Sequence, residues 1–389
     1  MKKNMVICGA SGINNSGDEA ILDVLLFRYS ADYDVKVISI NASKAKEYHK
    51  DTVFINIKDT AEVKNAISQS DIVLIGGGCL FQDETSVFNI FRWSRICKMA
   101  IDMGKKTVIY ANSFGPLNYK SSRKKVKKLL DKCDLITLRD NSSFELLKEL
   151  GVSSKYIVTA DPVFSYPLKQ ESIDSYNLPK KYITISVRHW FDTIPFIPVS
   201  LTSKIHYKKK SLYNEYINSI NNIINAINDN LDLPVVLIPF LTERDYAVCN
   251  DIMNVNGKTD YNCILGDGNK QICPNDIIRI IGDSEFLVGM RLHSIIFAAL
   301  TATPFIAIDY SAKVNGMLKE LDMEEYSINL KDCKTILDSF IPEMESLMNN
   351  NDAVRKRLSS SFERMRSQER LNYSLVNELW NDNDTEKKD

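Results

Sequence analysis

The stretch Asp283-Ser284-Glu285-Phe286-Leu287-Val288-Gly289-Met290-Arg291-Leu292-His293-Ser294-Ile295-Ile296-Phe297-Ala298-Ala299 decides the fold. Phe286 to Val288 is an apolar run of strand length, Gly289 lets a turn tighten, and Ser294 to Leu300 is a helix. Phe305 to Ile308 is then a second strand. A strand-helix-strand unit of this kind needs a parallel sheet covered by helices. The helix is apolar on nearly every face, so it is buried and its polar N-terminal residues face a cleft. Burying Arg291 and His293 without partners would cost several kcal/mol. Each therefore needs an internal carboxylate, Asp283 or Glu285 being close in sequence, or a ligand anion. The free N–H groups at the helix start favour the ligand.

The same alternation runs along the whole chain. Met5 to Cys8, Val35 to Ile40, Val53 to Ile57, Ile72 to Ile75, Thr107 to Ala111, Leu135 to Leu138 and Tyr156 to Thr159 read as strands separated by helices. Ser142 with Glu145 forms a capping box, and Gly151 ends that helix. Asp161 to Lys181 holds Pro162, Pro167 and Pro179 and no clear period, which marks a linker. The pattern restarts with Tyr182 to Val187, a helix from about Leu212 to Ile227 and a strand at Val235 to Pro239. The 389 residues thus divide into an N-terminal Rossmann-like domain over 1–168 and a second over 180–345. Closing helices follow over 350–380 and a polar, disordered tail over 381–389. The fold class is α/β, two doubly wound units, with the last helices crossing back to the first.

Composition excludes several classes. The 49 basic and 50 acidic residues give a net charge of -1, so nothing demands nucleic acid or an anionic surface as partner. The eight cysteines show no C-x-x-C and read as reduced thiols. No Asp/His ligand cluster asks for a metal. The apolar run after Met1-Lys2-Lys3 is too short for a signal peptide, so the cytoplasm is the expected compartment.

Further motifs stand at strand ends. Gly9-Ala-Ser-Gly12-Ile-Asn-Asn15-Ser-Gly17-Asp18-Glu19 follows the first strand and opens a helix without matching G-x-G-x-x-G or a Walker A loop. Gly76-Gly77-Gly78-Cys79-Leu80-Phe81-Gln82-Asp83 means close approach by a ligand or by packed backbone, with equal weight. Asn112-Ser113-Phe114-Gly115-Pro116 ends a strand of the same sheet, where open α/β sheets place ligands. Ser186-Val187-Arg188-His189-Trp190 offers a guanidinium for carboxylate or phosphate and an imidazole for protons. Asp309-Tyr310-Ser311-Ala312-Lys313 adds a hydroxyl and an ammonium. The remaining histidines, His49 and His206, read as surface.

Taken in order, Gly17-Asp18-Glu19-Ala-Ile-Leu, the Gly76-Gly77-Gly78 segment, Gly115-Pro116-Leu117, Thr137-Leu-Arg139-Asp140 with Ser143, Asp161-Pro162, Ser186-Val-Arg188, Met290-Arg291-Leu-His293, Pro304 and Tyr310-x-x-Lys313 resemble the polysaccharide pyruvyl transferase family. The resemblance covers roughly Met5 to Leu321. It implies a glycosyltransferase-B-like fold and transfer of pyruvate from phosphoenolpyruvate to two hydroxyls of a sugar. The product would be a ketal on a cell-surface or capsular polysaccharide precursor. His293, Arg291 and Arg188 fall on catalytic, donor-site positions. Asp18, Gly77, Gly78, Asn112, Gly115, His189, Tyr310 and Lys313 are the expected substrate contacts. No cofactor beyond phosphoenolpyruvate as donor is implied.

Such an enzyme would work in the cytoplasm, at the inner face of the membrane where its sugar or lipid-linked acceptor resides. The loop 190–210, aromatic and basic, is placed to contact acceptor or membrane, or to act as a lid. Two rivals remain. One is a nucleotide-sugar glycosyltransferase of the same fold, for which Glu320 is the nearest candidate ribose partner. The other is a non-catalytic saccharide-binding homologue.

Overall fold

The computed structural model describes residues 2–84, 86–189, 210–258, 261–329 and 335–386. The first sheet has seven parallel strands, β1 (Lys3–Cys8), β2 (Tyr33–Ser39), β3 (Val53–Asn56), β4 (Ile72–Gly76), β5 (Lys106–Asn112), β6 (Leu135–Leu138) and β7 (Tyr156–Val158), in the order β3-β2-β1-β4-β5-β6-β7. The second has six, β8 (Ile183–Val187), β9 (Val235–Pro239), β10 (Cys263–Ile264), β11 (Leu287–Gly289), β12 (Phe305–Asp309) and β13 (Ser327–Asn329), in the order β10-β9-β8-β11-β12-β13. Each sheet winds outward from its own first strand, in both directions.

The first domain's helices are α1 (Ser16–Tyr29), α2 (Ala42–Tyr48), α3 (Thr60–Gln69), α4 (Val87–Asp102), α5 (Lys120–Leu130) and α6 (Asn141–Leu150). The second carries α7 (Lys210–Leu231), α8 (Thr242–Asn256), α9 (Pro274–Gly282), α10 (Leu292–Leu300), α11 (Ala312–Glu320) and α12 (Ile336–Asn349). The alternating side chains of β1 show why both faces are covered. Met5 and Ile7 join a core that continues into the second domain, while Val6 and Cys8 point into a separate core on the opposite face.

The last helix, α13 (Asn351–Glu386), begins against the second domain, where Arg355 reaches the carbonyl of Ala302, and ends against the first. There Glu369 forms a bidentate pair with Arg28 of α1, and Asn372 accepts from Thr159 at 2.8 Å. The crossing back is as expected. The helix is described to Glu386, past Asn381 where the polar tail is expected to begin.

Every run read as a strand is one. β10 and β13 were not foreseen; at two and three residues they are too short to carry a period. The cap of α6 is also corrected. Asp140, in extended conformation, accepts from the Ser143 N–H at 2.8 Å, and the Ser142 hydroxyl donates to that same carboxylate. Gly151 takes the left-handed C-terminal position, as read. His49 is not a surface residue, for the turn after α2 folds it onto α1, 3.6 Å from Glu19 and 3.7 Å from Asp23. His206 and residues 190–209 of the loop lie outside the described residues. Among the described residues no helix is long and apolar enough to cross a membrane.

Candidate functional site

Doubly wound sheets open a crevice beyond their strand ends where the winding reverses. In the first domain that point lies between β1 and β4, so the segments after Cys8 and after Ile75 flank it. In the second it lies between β8 and β11, flanked by Arg188 and Met290. The two crevices are held face to face. The Ser16 N–H donates to the Phe240 carbonyl at 2.9 Å, and the Thr242 N–H to that of Asn14 at 3.0 Å. Much of the first glycine-rich segment therefore serves the domain seam. Gly12 is required by packing, since a Cβ there would lie 2.1 Å from the Asn41 carbonyl oxygen.

His293 reaches across that seam. Its ring rests on the backbone of Gly17, and a Cβ at residue 17 would meet Nδ1 at 2.1 Å. Nε2 has no hydrogen-bond partner and stands 3.6 Å from Oδ2 of Asp161, an ion-pair distance too long for a hydrogen bond. Asp161 in turn accepts from the Arg139 guanidinium at 2.6 Å, and Arg139 Nε donates to Ser113 at the same length. Burial alone would raise the Asp161 carboxyl, but Arg139 and then His293 outweigh it and hold the group well below the usual carboxylate range.

The two expected arginines are in different electrostatic states. Arg291 donates from Nε to Asp245 at 3.0 Å and from a terminal nitrogen to the other carboxylate oxygen. Asp245 on α8 is wholly buried, and it supplies the internal carboxylate that neither Asp283 nor Glu285 provides. Arg188 hydrogen-bonds the Tyr310 hydroxyl and lies 4.6 Å from that ring's centroid, but it makes no ion pair among the described residues and its buried Nε has no partner. Between them, no side chain caps α10. Its turn is fixed by Ser186, which donates to Ser294 at 2.6 Å and accepts from the Met290 N–H at 3.2 Å.

The structure places the other expected contacts variously. The His189 N–H donates to Asp245 at 3.3 Å, and its ring lies 6.0 Å from that of Tyr213. Lys313 crosses the seam to the sulfur of Cys79 at 2.7 Å. Asp18 remains at the cleft beneath Gly78, where a Cβ would lie 3.1 Å from its Oδ1. Three positions also serve the fold. Gly77 packs on Ile21, Gly115 on Leu146, and Asn112 is buried with its amide donating to the carbonyls of Ile75 and Tyr110. Close packing, the alternative reading of the triple glycine, thus accounts for Gly77.

Two carboxyls at the seam are poised near neutrality. Burial pushes Asp18 up to about 6, with Glu19 adding to the rise and His293 and Arg139 opposing it. Burial, Asp140 and Asp161 push Glu320 up to about 7 against Arg139. Oε2 of Glu320 is buried without a hydrogen-bond partner. This carboxyl brings the end of α11 against the Arg139 cluster of the opposite domain.

With that arrangement in view, the sequence profile described as polysaccharide pyruvyl transferase matches residues 15–312, a span from the Gly17 helix start to α11. The chain belongs to the polysaccharide pyruvyl transferase family. A curated relative, the amylovoran biosynthesis protein AmsJ of Erwinia amylovora, is 22% identical over 315 residues, covering 77% of this chain and 71% of that one. Among solved structures, Anabaena HepE in complex with UDP-glucose superposes with a TM-score of 0.60 at 10% identity, over 96% of this chain and 99% of that one. UDP-GlcNAc 2-epimerase from Neisseria meningitidis gives 0.59 at 11% identity, over 97% and 100%. The sucrose-phosphate synthase of Thermosynechococcus elongatus gives 0.55 at 9%, over 98% and 99%. At these identities the likeness is one of fold, two Rossmann-like domains in the glycosyltransferase-B arrangement.

Asp245 and the seam role of Glu320 were not anticipated, and Arg139 and Asp161 had been given no role. Arg139 carries the same signal as Arg188, a cation directly after an apolar strand. Asp245 sits in the first turn of α8 beside Glu243, where acidic residues are ordinary and give no sign of a buried partner.

Proposed function

We propose that the chain transfers pyruvate from phosphoenolpyruvate to two hydroxyls of one sugar, forming a ketal on an exopolysaccharide or capsule precursor and releasing phosphate. The observation that carries this reading is the contrast between the arginines. Arg291 is neutralised by Asp245, whereas Arg188 has no carboxylate among the described residues and stands beside an uncapped helix start. A guanidinium and free N–H groups on adjacent strand ends suit a small, doubly anionic donor. Arg188 takes its phosphate or carboxylate. Arg291, held rigid by Asp245, offers its remaining N–H donors.

The reaction needs one proton delivered and two removed. His293 gives a proton to the methylene carbon of the enol ester, which leaves a cation at C2 stabilised by the ester oxygen. An acceptor hydroxyl attacks C2, and its proton passes to Asp18, a carboxylate raised to about 6 and so a competent base near neutrality. The second hydroxyl then displaces phosphate from C2, and its proton leaves with the phosphate. Asp161, kept ionised by Arg139, steadies the protonated imidazole before transfer.

The test is incubation with phosphoenolpyruvate and candidate lipid-linked glycans, following phosphate release together with the mass of the glycan. Coupled release and mass gain are expected. Thermal stabilisation by nucleotide sugars but not by phosphoenolpyruvate would overturn the proposal in favour of a glycosyltransferase.

A further inference from the structure

The outer faces of α4 and α5 answer no requirement of the fold or of the proposed chemistry. On α4, Phe88 and Phe91 are 49% and 56% exposed and share one side of the helix with Arg92. On α5, six of the 11 residues are Lys or Arg and none is acidic. Arg123 and Lys127 are paired with Glu149 and Asp131. Lys120, Lys124 and Lys128, four residues apart, form an exposed stripe that makes no hydrogen bond or ion pair among the described residues. Lys125 ties the two faces into one surface, its ammonium lying 4.0 Å from the Phe91 ring centroid.

Exposed aromatic rings and a self-repelling row of ammonium groups are both unfavourable in water. An interface with anionic headgroups relieves both, taking the rings into the acyl boundary and the lysines onto phosphates. A duplex nucleic acid would satisfy the lysines but leave the pair of phenylalanines on the neighbouring helix in water. Position matters too. The chain enters α4 from the triple-glycine segment and α5 from the Asn112–Leu117 segment, so Phe88 and Lys120 begin at the cleft edge of the sheet.

We propose that the α4–α5 face docks this protein onto an anionic phospholipid surface through Phe88, Phe91 and the stripe of Lys120, Lys124 and Lys128. Docking brings the cleft edge of the first domain within reach of a membrane-borne acceptor. That last consequence rests on the pyruvyl transfer reading; the docking does not.

Full-length protein is to be sedimented with phosphatidylcholine vesicles, with and without phosphatidylglycerol. Binding only to the anionic vesicles is expected, weakening as salt is added. Lys120→Glu with Lys124→Glu and Lys128→Glu should weaken it by roughly a hundredfold or more. Phe88→Ser with Phe91→Ser should cost about tenfold or more. Both sets should keep the parent thermal midpoint. Absence of binding to anionic vesicles, or binding that survives both sets, overturns the proposal. So does binding to heparin without affinity for vesicles, which would make the face a polyelectrolyte site. The vesicle assay uses neither phosphoenolpyruvate nor acceptor, so its failure and a failure of the pyruvyl transfer reading are separable.

Discussion

His293 occupies the space that a side chain at Gly17 would need, with its Nδ1 2.1 Å from where a Cβ would stand. One domain supplies the ring and the other its floor. Gly17 has an ordinary helical backbone, so alanine there is tolerated by the chain and resisted first by the imidazole, which supplies the three nearest atoms. Gly17→Ala should reduce turnover on the order of a hundredfold by displacing the ring. Gly316, with nothing within 4 Å of its Cβ position, is the control. Gly316→Ala should leave turnover unchanged and stabilise α11 by up to about 1 kcal/mol. Steady-state kinetics and chemical denaturation of both variants check this.

Arg139 and Asp161 are an internal pair, their side chains 5% and 0% exposed. Removing one partner strands the other charge away from water. Arg139→Met should destabilise the protein by about 3–5 kcal/mol, and Arg139→Met with Asp161→Asn by less than that single change. Denaturant titration of the single and double variants measures the difference.

Arg188 and Arg291 should separate in kind. Arg188→Ala should raise the KM for phosphoenolpyruvate roughly ten- to a hundredfold while costing about 1 kcal/mol or less of stability. Arg291→Ala leaves Asp245 buried and unpaired, so it should destabilise by about 3–5 kcal/mol, with partial recovery when Asp245→Asn is added. Kinetics and denaturation on the same set of variants distinguish a ligand clamp from a structural pair.

Asp18 and Glu320 bind a proton more tightly in the folded protein than in the unfolded chain, at about 6 and about 7 against 3.8 and 4.5. The sign follows from linkage: each stabilises the fold below its unfolded value, and that contribution is lost as pH rises through the folded one. Asp18→Asn and Glu320→Gln should therefore raise the thermal midpoint relative to the parent at about pH 8 and lose that advantage toward pH 4. In the pH profile of kcat/KM, Asp18 as base should give an acid limb near 6 that Asp18→Asn removes along with most of the activity.

The fold was legible because parallel strands buried on both faces read as continuous apolar runs, as Val235 to Pro239 and Phe305 to Ile308 do. The candidate site was legible where a polar residue ends such a run, as Arg188, Arg291 and Tyr310 do. It was not legible where a partner arrives from elsewhere in the chain. Nothing around Asp245 or Asp161 announces which arginine it neutralises, because that depends on how helix and strand ends meet in space. Gly77 and Gly115 show the converse limit. A glycine signals close approach, but Ile21 and Leu146, which do the approaching, lie far away in sequence.

α13 spans both domains, anchored by Arg355 to one and by Glu369 and Asn372 to the other. Together with the segment after Asp161, it makes the polypeptide pass between the domains twice. Those two crossings, the backbone bonds from Ser16 to Phe240 and from Thr242 to Asn14, and a core continuous through both halves lock the seam, so the imidazole from one half and its glycine floor in the other form one prefabricated surface.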